Sequence, residues 1–264
     1  MAVPLRNPTK SGTTAPTPGD VVINGVTKVY GTGPAALLAL DRVSLRVRNG
    51  EFLCIVGASG CGKSTLLNLV SGLDSVTAGS IDTGGRHSAM LFQESALFPW
   101  LTVAQNIDLP MRLKGMAAAT RAARVEELLV TVHLEGFGAK RPHELSGGMR
   151  QRAALARALA QEPEILLMDE PFGALDAMTR DFLHDELERI WNDTGITILF
   201  VTHNVREAAR LGDRVVVLSS RPGKVVGDHP VDIPRPRRIE SPEVAALAAH
   251  VTDHLRREVR RHGR

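Results

Sequence analysis

The sequence predicts an α/β fold built on a mainly parallel sheet, and three observations carry that expectation. Apolar runs of strand length, among them Phe52 to Val56, Ile165 to Met168 and Ile196 to Val201, alternate with stretches of helical periodicity. The first of these runs opens into a glycine-rich turn and then a helical pattern. The chain has 264 residues, 43% of them hydrophobic and 4% aromatic, enough for a substantial core in one large domain or two small ones. The same composition excludes collagen-like, disulfide-scaffold and wholly disordered chains. Two cysteines seven residues apart make no framework and point to a reducing, cytosolic setting. No apolar run approaches the roughly 18 residues needed to cross a bilayer, and the N-terminus lacks the apolar core of a secretory signal. The chain is therefore expected not to span a membrane by itself.

Residues 1–19, rich in Pro, Thr, Gly and Ser, read as a flexible arm. Val21 to Val29 reads as a strand. Val43, Leu45 and Val47 alternate with polar neighbours ahead of Asn49-Gly50, a strong hairpin-turn signal. Phe52 to Val56 has the continuous apolar character of a strand covered on both faces. Further strands are expected at Ala89 to Phe92, Ile165 to Met168, Ile196 to Val201 and Arg214 to Leu218. Helical patterns fall near 63–71, 103–113, 120–132, 147–160, 175–193 and 204–210. The stretch from about 94 to 163 holds several of them and no convincing strand, which predicts a helical subdomain inserted into the sheet domain.

After Gly227 the prolines 230, 234 and 236 punctuate an expected linker. Val244, Leu247, Val251 and Leu255 then recur at helical spacing and end in Arg256, Arg257, Arg260 and Arg261. Such a helix either docks on a partner or an anionic surface, or packs by its apolar stripe with solvated arginines. Residues 235–264 hold eight arginines against four acids, so they account for the +3 net charge and leave the remainder near neutral. A near-neutral body argues against a nucleic-acid-binding face.

Gly57-Ala58-Ser59-Gly60-Cys61-Gly62-Lys63-Ser64-Thr65 follows a strand and precedes a helix, the context in which G-x-x-x-x-G-K-[ST] binds a nucleoside triphosphate. Its glycines let consecutive N–H groups converge on phosphate oxygens, and the following helix adds its positive end. Lys63 supplies a mobile cation for the β- and γ-phosphates, and the Ser64 hydroxyl a ligand for Mg2+. Cys54 and Cys61 read as small packed thiols. The run Ile165 to Met168 ends in Asp169-Glu170. Nucleotide hydrolysis needs one carboxylate near the metal and one group to orient or deprotonate water, so Asp169 suits the metal and Glu170 the nucleophile.

Leu145-Ser146-Gly147-Gly148-Met149-Arg150-Gln151-Arg152, lying 17 residues ahead of that acidic pair, resembles the signature motif of ABC-type ATPases. Residues 20–227 resemble the nucleotide-binding subunit of an ABC transporter, with the motifs in family order. The resemblance implies a P-loop NTPase of ABC ATPase type over 20–228, with an antiparallel β portion beside the parallel core sheet. It also implies roles. Tyr30 matches the aromatic stacked on adenine, Gln93 the glutamine reaching Mg2+ and the attacking water, and Gly173 to Asp176 the D-loop. His203 matches the switch histidine at the γ-phosphate. Read singly, Ser146-Gly147-Gly148 is an ordinary helix cap, Tyr30 packs or stacks, and His203 is a histidine at a strand end; the ordered set carries the match.

The resemblance further implies that two subunits pair head to tail, each signature completing its partner's P-loop site, with ATP and Mg2+ as cofactors. It implies two transmembrane permease subunits and, indirectly, an extracytoplasmic solute-binding protein, which places the chain at the cytoplasmic face of a membrane. Glu94 to Leu101 corresponds to the groove for a permease coupling helix, with Phe98 and Trp100 either its anchors or core aromatics. That segment, Arg221-Pro222-Gly223 and the 233–243 tail are similar to the nitrate/sulfonate/taurine importer group. The stretch between Gly72 and Gln93, Ser95 and Asn204 depart from that group's pattern. The alternatives are a soluble ABC ATPase acting on DNA or ribosomes, an exporter subunit, and a P-loop kinase. His250 and His254, four apart on a helical pattern, lack the third ligand of a metal site.

Overall fold

The computed structural model describes residues 17–173 and 175–262, so most of the expected N-terminal arm lies outside it. The chain divides into two compact units, Met1–Gly85 with Thr197–Arg264, and Arg86–Ile196.

The first unit begins with β1 (Val21–Tyr30), β2 (Leu37–Val47) and β4 (Ala78–Asp82), which form an antiparallel sheet in the order β2-β1-β4. A second group runs through β7 (Thr197–Thr202), β3 (Phe52–Val56), β8 (Arg214–Leu218) and β9 (Val225–Pro230). Here β3 lies parallel between β7 and β8, and β9 closes antiparallel on β8. All five residues of β3 are buried, as a strand covered on both faces requires. The Asn49-Gly50 turn forms, with Gly50 at φ 73° and Glu51 N–H donating to Arg48 C=O at 3.0 Å. It does not make the expected hairpin: β2 pairs with β1, while β3 joins the other group. The apolar face of Val43 to Val47 belongs to one sheet and the two-faced β3 to another, so the turn carries the chain between sheets.

Helix α1 (Lys63–Val70) follows β3 in the chain and contacts β2 and β7, while α6 (Val205–Leu211) follows β7 and packs on β3 and β8. Within the expected 229–264 linker and helix, the linker is instead bolted down. Strand β9 extends through His229 to Pro230, and Val231 is buried. Arg237 is buried and donates to the carbonyls of Val231 and Ile233 in the tail at 3.2 and 2.8 Å, and to that of Gly212, at the C-terminal end of α6, at 2.5 Å. Helix α7 (Pro242–His262) packs Val244 and Ala248 against Ala209, with Val205, Ile233 and Leu247 around them. Its apolar stripe is spent on α6, while Arg256, Arg257 and Arg260 stay exposed. The packed-stripe reading of the tail is the one realised.

The same packing gathers three histidines. His229 Nε2 and His254 Nδ1 lie 3.2 Å apart, and the rings of both His250 and His254 meet the His229 ring edge-on at 5.3 Å between centroids. A Cβ on Gly227 would come within 2.6 Å of His254, so glycine is what lets that ring approach. Among the described residues no group of three or more His, Cys, Asp or Glu is arranged to hold a metal ion. Burial, and then the neighbouring His254 and His250, push the His229 pKa below its ordinary 6.5, against the pull of Asp228. A depressed histidine pKa means the unfolded chain binds more protons, so this contribution is present above pH 6.5 and fades as pH falls through it. Lowering pH from about 7.5 to about 5.5 is expected to depress the thermal midpoint more in wild type than in His229→Gln, by scanning calorimetry. Parallel pH slopes would contradict it.

The second unit holds the parallel pair β5 (Ser88–Leu91) and β6 (Ile165–Asp169), with α2 (Val103–Leu113), α3 (Ala118–Thr131), α4 (Gly147–Leu159) and α5 (Ala177–Thr194). Between residues 94 and 163 the described structure is helices and turns without a strand. Thr102 caps α2 through a capping box with Gln105, which explains how sharply this helix starts. Here α4 packs against α2, α3, α5 and β5.

Candidate functional site

In the first unit the predicted loop 57–65 leaves β3 and enters α1 as the motif requires. Gly60 and Gly62 adopt φ of 74° and 101°, conformations that a side chain disfavours. A Cβ on Gly62 would also strike Leu40 Cδ2 at 2.6 Å. No side chain caps α1, so its first N–H groups are turned to whatever the loop encloses. Lys63, only 5% exposed, folds its ammonium back onto the loop and donates to the Gly57 and Ala58 carbonyls at 3.0 and 3.2 Å. Ser59 and Ser64 are exposed, Ala58 and Thr65 half-buried, and Cys61 is buried. Cys54 is buried too, and burial first of all pushes its thiol well above the ordinary range, which leaves it inert.

The loop rests on the 219–223 turn. Gly223 donates to Ala39 C=O at 2.9 Å, and a Cβ on it would meet the Cys61 carbonyl oxygen at 2.2 Å. Arg221 Nε donates to Gly60 C=O at 3.3 Å. Tyr30 ends β1, 36% exposed. His203 is exposed just past β7, where Asn204 caps α6 through Arg206 and Glu207 N–H.

The second unit assembles the other predicted residues. Asp169 is the last residue of β6, and Glu170 follows it at φ 44°, a left-handed conformation uncommon for glutamate. Gln93 lies two residues past β5 and is exposed. Ser146 caps α4, its hydroxyl accepting from Met149 N–H at 3.2 Å, so the ordinary cap is present and the hydroxyl still has a proton to donate. Gly147 is exposed and Gly148 buried, and a Cβ on Gly148 would strike Thr179 Cγ2 at 2.4 Å. Asp176 caps α5 by accepting from Thr179 N–H at 3.0 Å and Thr179 Oγ1 at 2.7 Å. Those bonds, the backbone one first, hold the Asp176 carboxyl below the usual range. The glycine at 148 thus lets the starts of α4 and α5 meet.

Two residues to which the sequence reading gave no role of their own hold this half together. Gln151, 7% exposed, donates from Nε2 to the carbonyls of Gln93 and Pro171, both at 2.8 Å. One side chain on α4 thereby fixes the Gln93 backbone and the turn after Glu170. Arg157, two turns along α4, donates to Ala96 and Ser95 C=O at 2.7 and 3.1 Å and lies 5.9 Å from the Phe98 ring. It pins the 94–101 segment. Phe98 packs on Trp100 at 5.4 Å, and Trp100 is 67% exposed, so Trp100 is not a core aromatic. Gln151 lies within the signature stretch and Arg157 follows on the same helix, and their roles are legible only once their partners are known.

The geometry supplies two helix starts suited to phosphate, one in each unit, and a strand-end acid pair in the second unit. Residues 40–173 match the family model described as ABC transporter. The chain is 47% identical over 222 residues to the aliphatic sulfonates import ATP-binding protein of Bacillus licheniformis, covering 81% of this chain and 86% of that protein. It is 44% identical over 217 residues to the taurine import ATP-binding protein of Burkholderia pseudomallei, covering 80% and 84%. Among solved structures it is similar to a dimeric ATP-binding cassette in a post-hydrolysis state bound to ADP and Pi. The TM-score is 0.73 at 35% identity, over 80% of this chain and 98% of that one.

Proposed function

The chain belongs to the ABC transporter family as an ATP-binding subunit, and from that premise we propose that it hydrolyses ATP to drive uptake of a small sulfonate- or taurine-like anion. What carries the reading is the pair of phosphate-suited helix starts, one at Lys63 and one at Ser146, within a single chain. A lone P-loop enzyme has use for one. A cassette that meets a second copy head to tail has use for both, each copy lending its Ser146–Gly148 turn to the other's loop.

The residues fit ATP and Mg2+: an uncapped helix start for phosphate, the Ser64 hydroxyl, and carboxylate and amide donors at Asp169 and Gln93. Mg2+, when bound there, would neutralise charge on the phosphate oxygens. Lys63 exchanges its two loop carbonyls for β- and γ-phosphate oxygens. Gly57–Thr65 N–H groups wrap the phosphates, and Tyr30 stacks on the adenine. Glu170 takes the proton of the attacking water, with Gln93 and His203 orienting water and γ-phosphate. The start of α5 at Asp176 faces the paired subunit. Movement passes to two permease subunits through the 94–101 segment, where Phe98 and Trp100 present exposed rings.

No described helix is long and apolar enough to cross a membrane, so membrane attachment runs through those subunits. The extracytoplasmic solute-binding protein contacts the permease rather than this chain. Detergent extracts of membranes carrying the tagged chain are expected to yield it with a polytopic membrane protein, and Trp100→Glu to weaken that recovery. Recovery with ribosomes or DNA instead would contradict the proposal.

A further inference from the structure

We infer that Asp74 is a positioning residue for Tyr30, and that through it the far end of α1 fixes where the adenine platform stands relative to the phosphate loop. The inference rests on the reading of Tyr30 above as the adenine-stacking ring. Lys28 and Tyr30 are two residues apart on β1 and therefore share a face of the strand. Tyr30 Oη donates to Asp74 Oδ2 at 3.0 Å, and Lys28 Nζ donates to Asp74 Oδ1 at 2.6 Å. Lys28 also donates to Ser75 C=O at 2.8 Å and stands 4.9 Å from the centre of the Tyr30 ring. One carboxylate thus holds both the phenol and the cation set against its ring. The Lys28 bond, first among several, keeps the Asp74 carboxyl below its usual range.

Asp74 is in turn tied to the phosphate helix. Its N–H donates to Asn68 C=O at 3.2 Å, in the last turn of the helix that begins at Lys63. A nucleotide is gripped at both ends, and the grips must be the right distance apart. Helix α1 has eight residues, a rod about 12 Å long with the phosphate loop at one end and Asp74 at the other. A tyrosine at a strand end, 36% exposed, is otherwise free to change rotamer. Lys28, 8% exposed, and Asp74 remove that freedom before the base arrives, so stacking costs less ordering.

The test compares equilibrium binding of MgATP with binding of magnesium tripolyphosphate, which has the phosphates but no base. Tyr30→Ala gives the full value of the platform, an expected loss for MgATP of about 10- to 100-fold. Tyr30→Phe keeps the ring and loses only the bond to Asp74; Asp74→Ala loses both of its partners. Each is expected to weaken MgATP by about fivefold, the worth of one hydrogen bond, and to leave tripolyphosphate within about twofold of wild type. Should Asp74→Ala weaken tripolyphosphate as much as MgATP, Asp74 merely supports α1 and the inference is overturned. Wild-type MgATP affinity in Tyr30→Phe, with the loss in Tyr30→Ala intact, overturns it too while leaving the adenine reading standing. No loss in Tyr30→Ala removes the adenine reading and the inference with it.

Discussion

Glu170→Gln is expected to bind ATP as wild type does and to hydrolyse it about 10²–10⁴-fold more slowly, the usual worth of a positioned general base. The exchange is nearly isosteric, so binding contacts survive and only the proton acceptor is lost. Three features single this residue out. It directly follows the buried strand β6, where ligands of a parallel sheet gather. It holds a left-handed φ of 44°, a backbone cost that its surroundings must sustain. Its carbonyl accepts from Gly173 N–H at 3.2 Å, and Gln151 grips Pro171 next to it, so the strained turn is over-determined by its surroundings. Single-turnover phosphate release measures the loss. The variant should also accumulate as an ATP-bound dimer in size-exclusion chromatography. Hydrolysis at full rate would move the base to another residue.

Ser146→Asp isolates the second helix start. Aspartate caps a helix as well as serine does, so α4 and the thermal midpoint should be preserved. What changes is charge: in the proposed head-to-tail pair a carboxylate would stand where the partner's γ-phosphate binds. Like charges across an interface cost several kcal/mol, so steady-state hydrolysis is expected to fall at least about 100-fold. ATP affinity of the single chain, set by the other helix start, should stay within about twofold. Measuring both on one preparation separates the two roles. Unchanged turnover would mean that Ser146 does no more than cap its own helix.

The parts of this architecture legible in the sequence were those whose physics is local. The phosphate loop announces itself through glycines that must reach positive φ, and Phe52–Val56 through an unbroken apolar run. Helix α2 shows itself in the helical pattern read near 103–113. Strand β4 was missed because Ala78–Asp82 is nearly all exposed and exists by pairing with the edge of β1. Strand β9 was read as the edge of a linker for the same reason: Val225–Pro230 has no alternation and takes its form from β8. Asn49-Gly50 misled in the other direction, since a good turn does not say whether its strands pair.

At the proposed site the phosphate loop and the acid pair were legible as local motifs, and Tyr30, Gln93 and His203 only through the family resemblance, whereas the residues that hold them were not legible. Gln151 reaches Gln93 across 58 positions and Pro171 across 20, and Asp74 reaches Tyr30 across 44. No periodicity encodes such meetings. The buried Arg237 shows the same limit, because its eight-arginine stretch reads as solvated charge until the carbonyls around it are seen.

Mixing two variants that are each inactive alone probes the shared clamp most directly. Lys63→Ala removes the cation of the loop, and Ser146→Asp poisons the facing helix start. In a mixed dimer one site receives Lys63 from the Ser146→Asp chain and Ser146 from the Lys63→Ala chain, and is therefore whole. Single-turnover ATP hydrolysis is expected to reappear on mixing, well above either variant by itself. If the mixture stays as silent as its components while both still fold and pair, the two halves do not meet across chains.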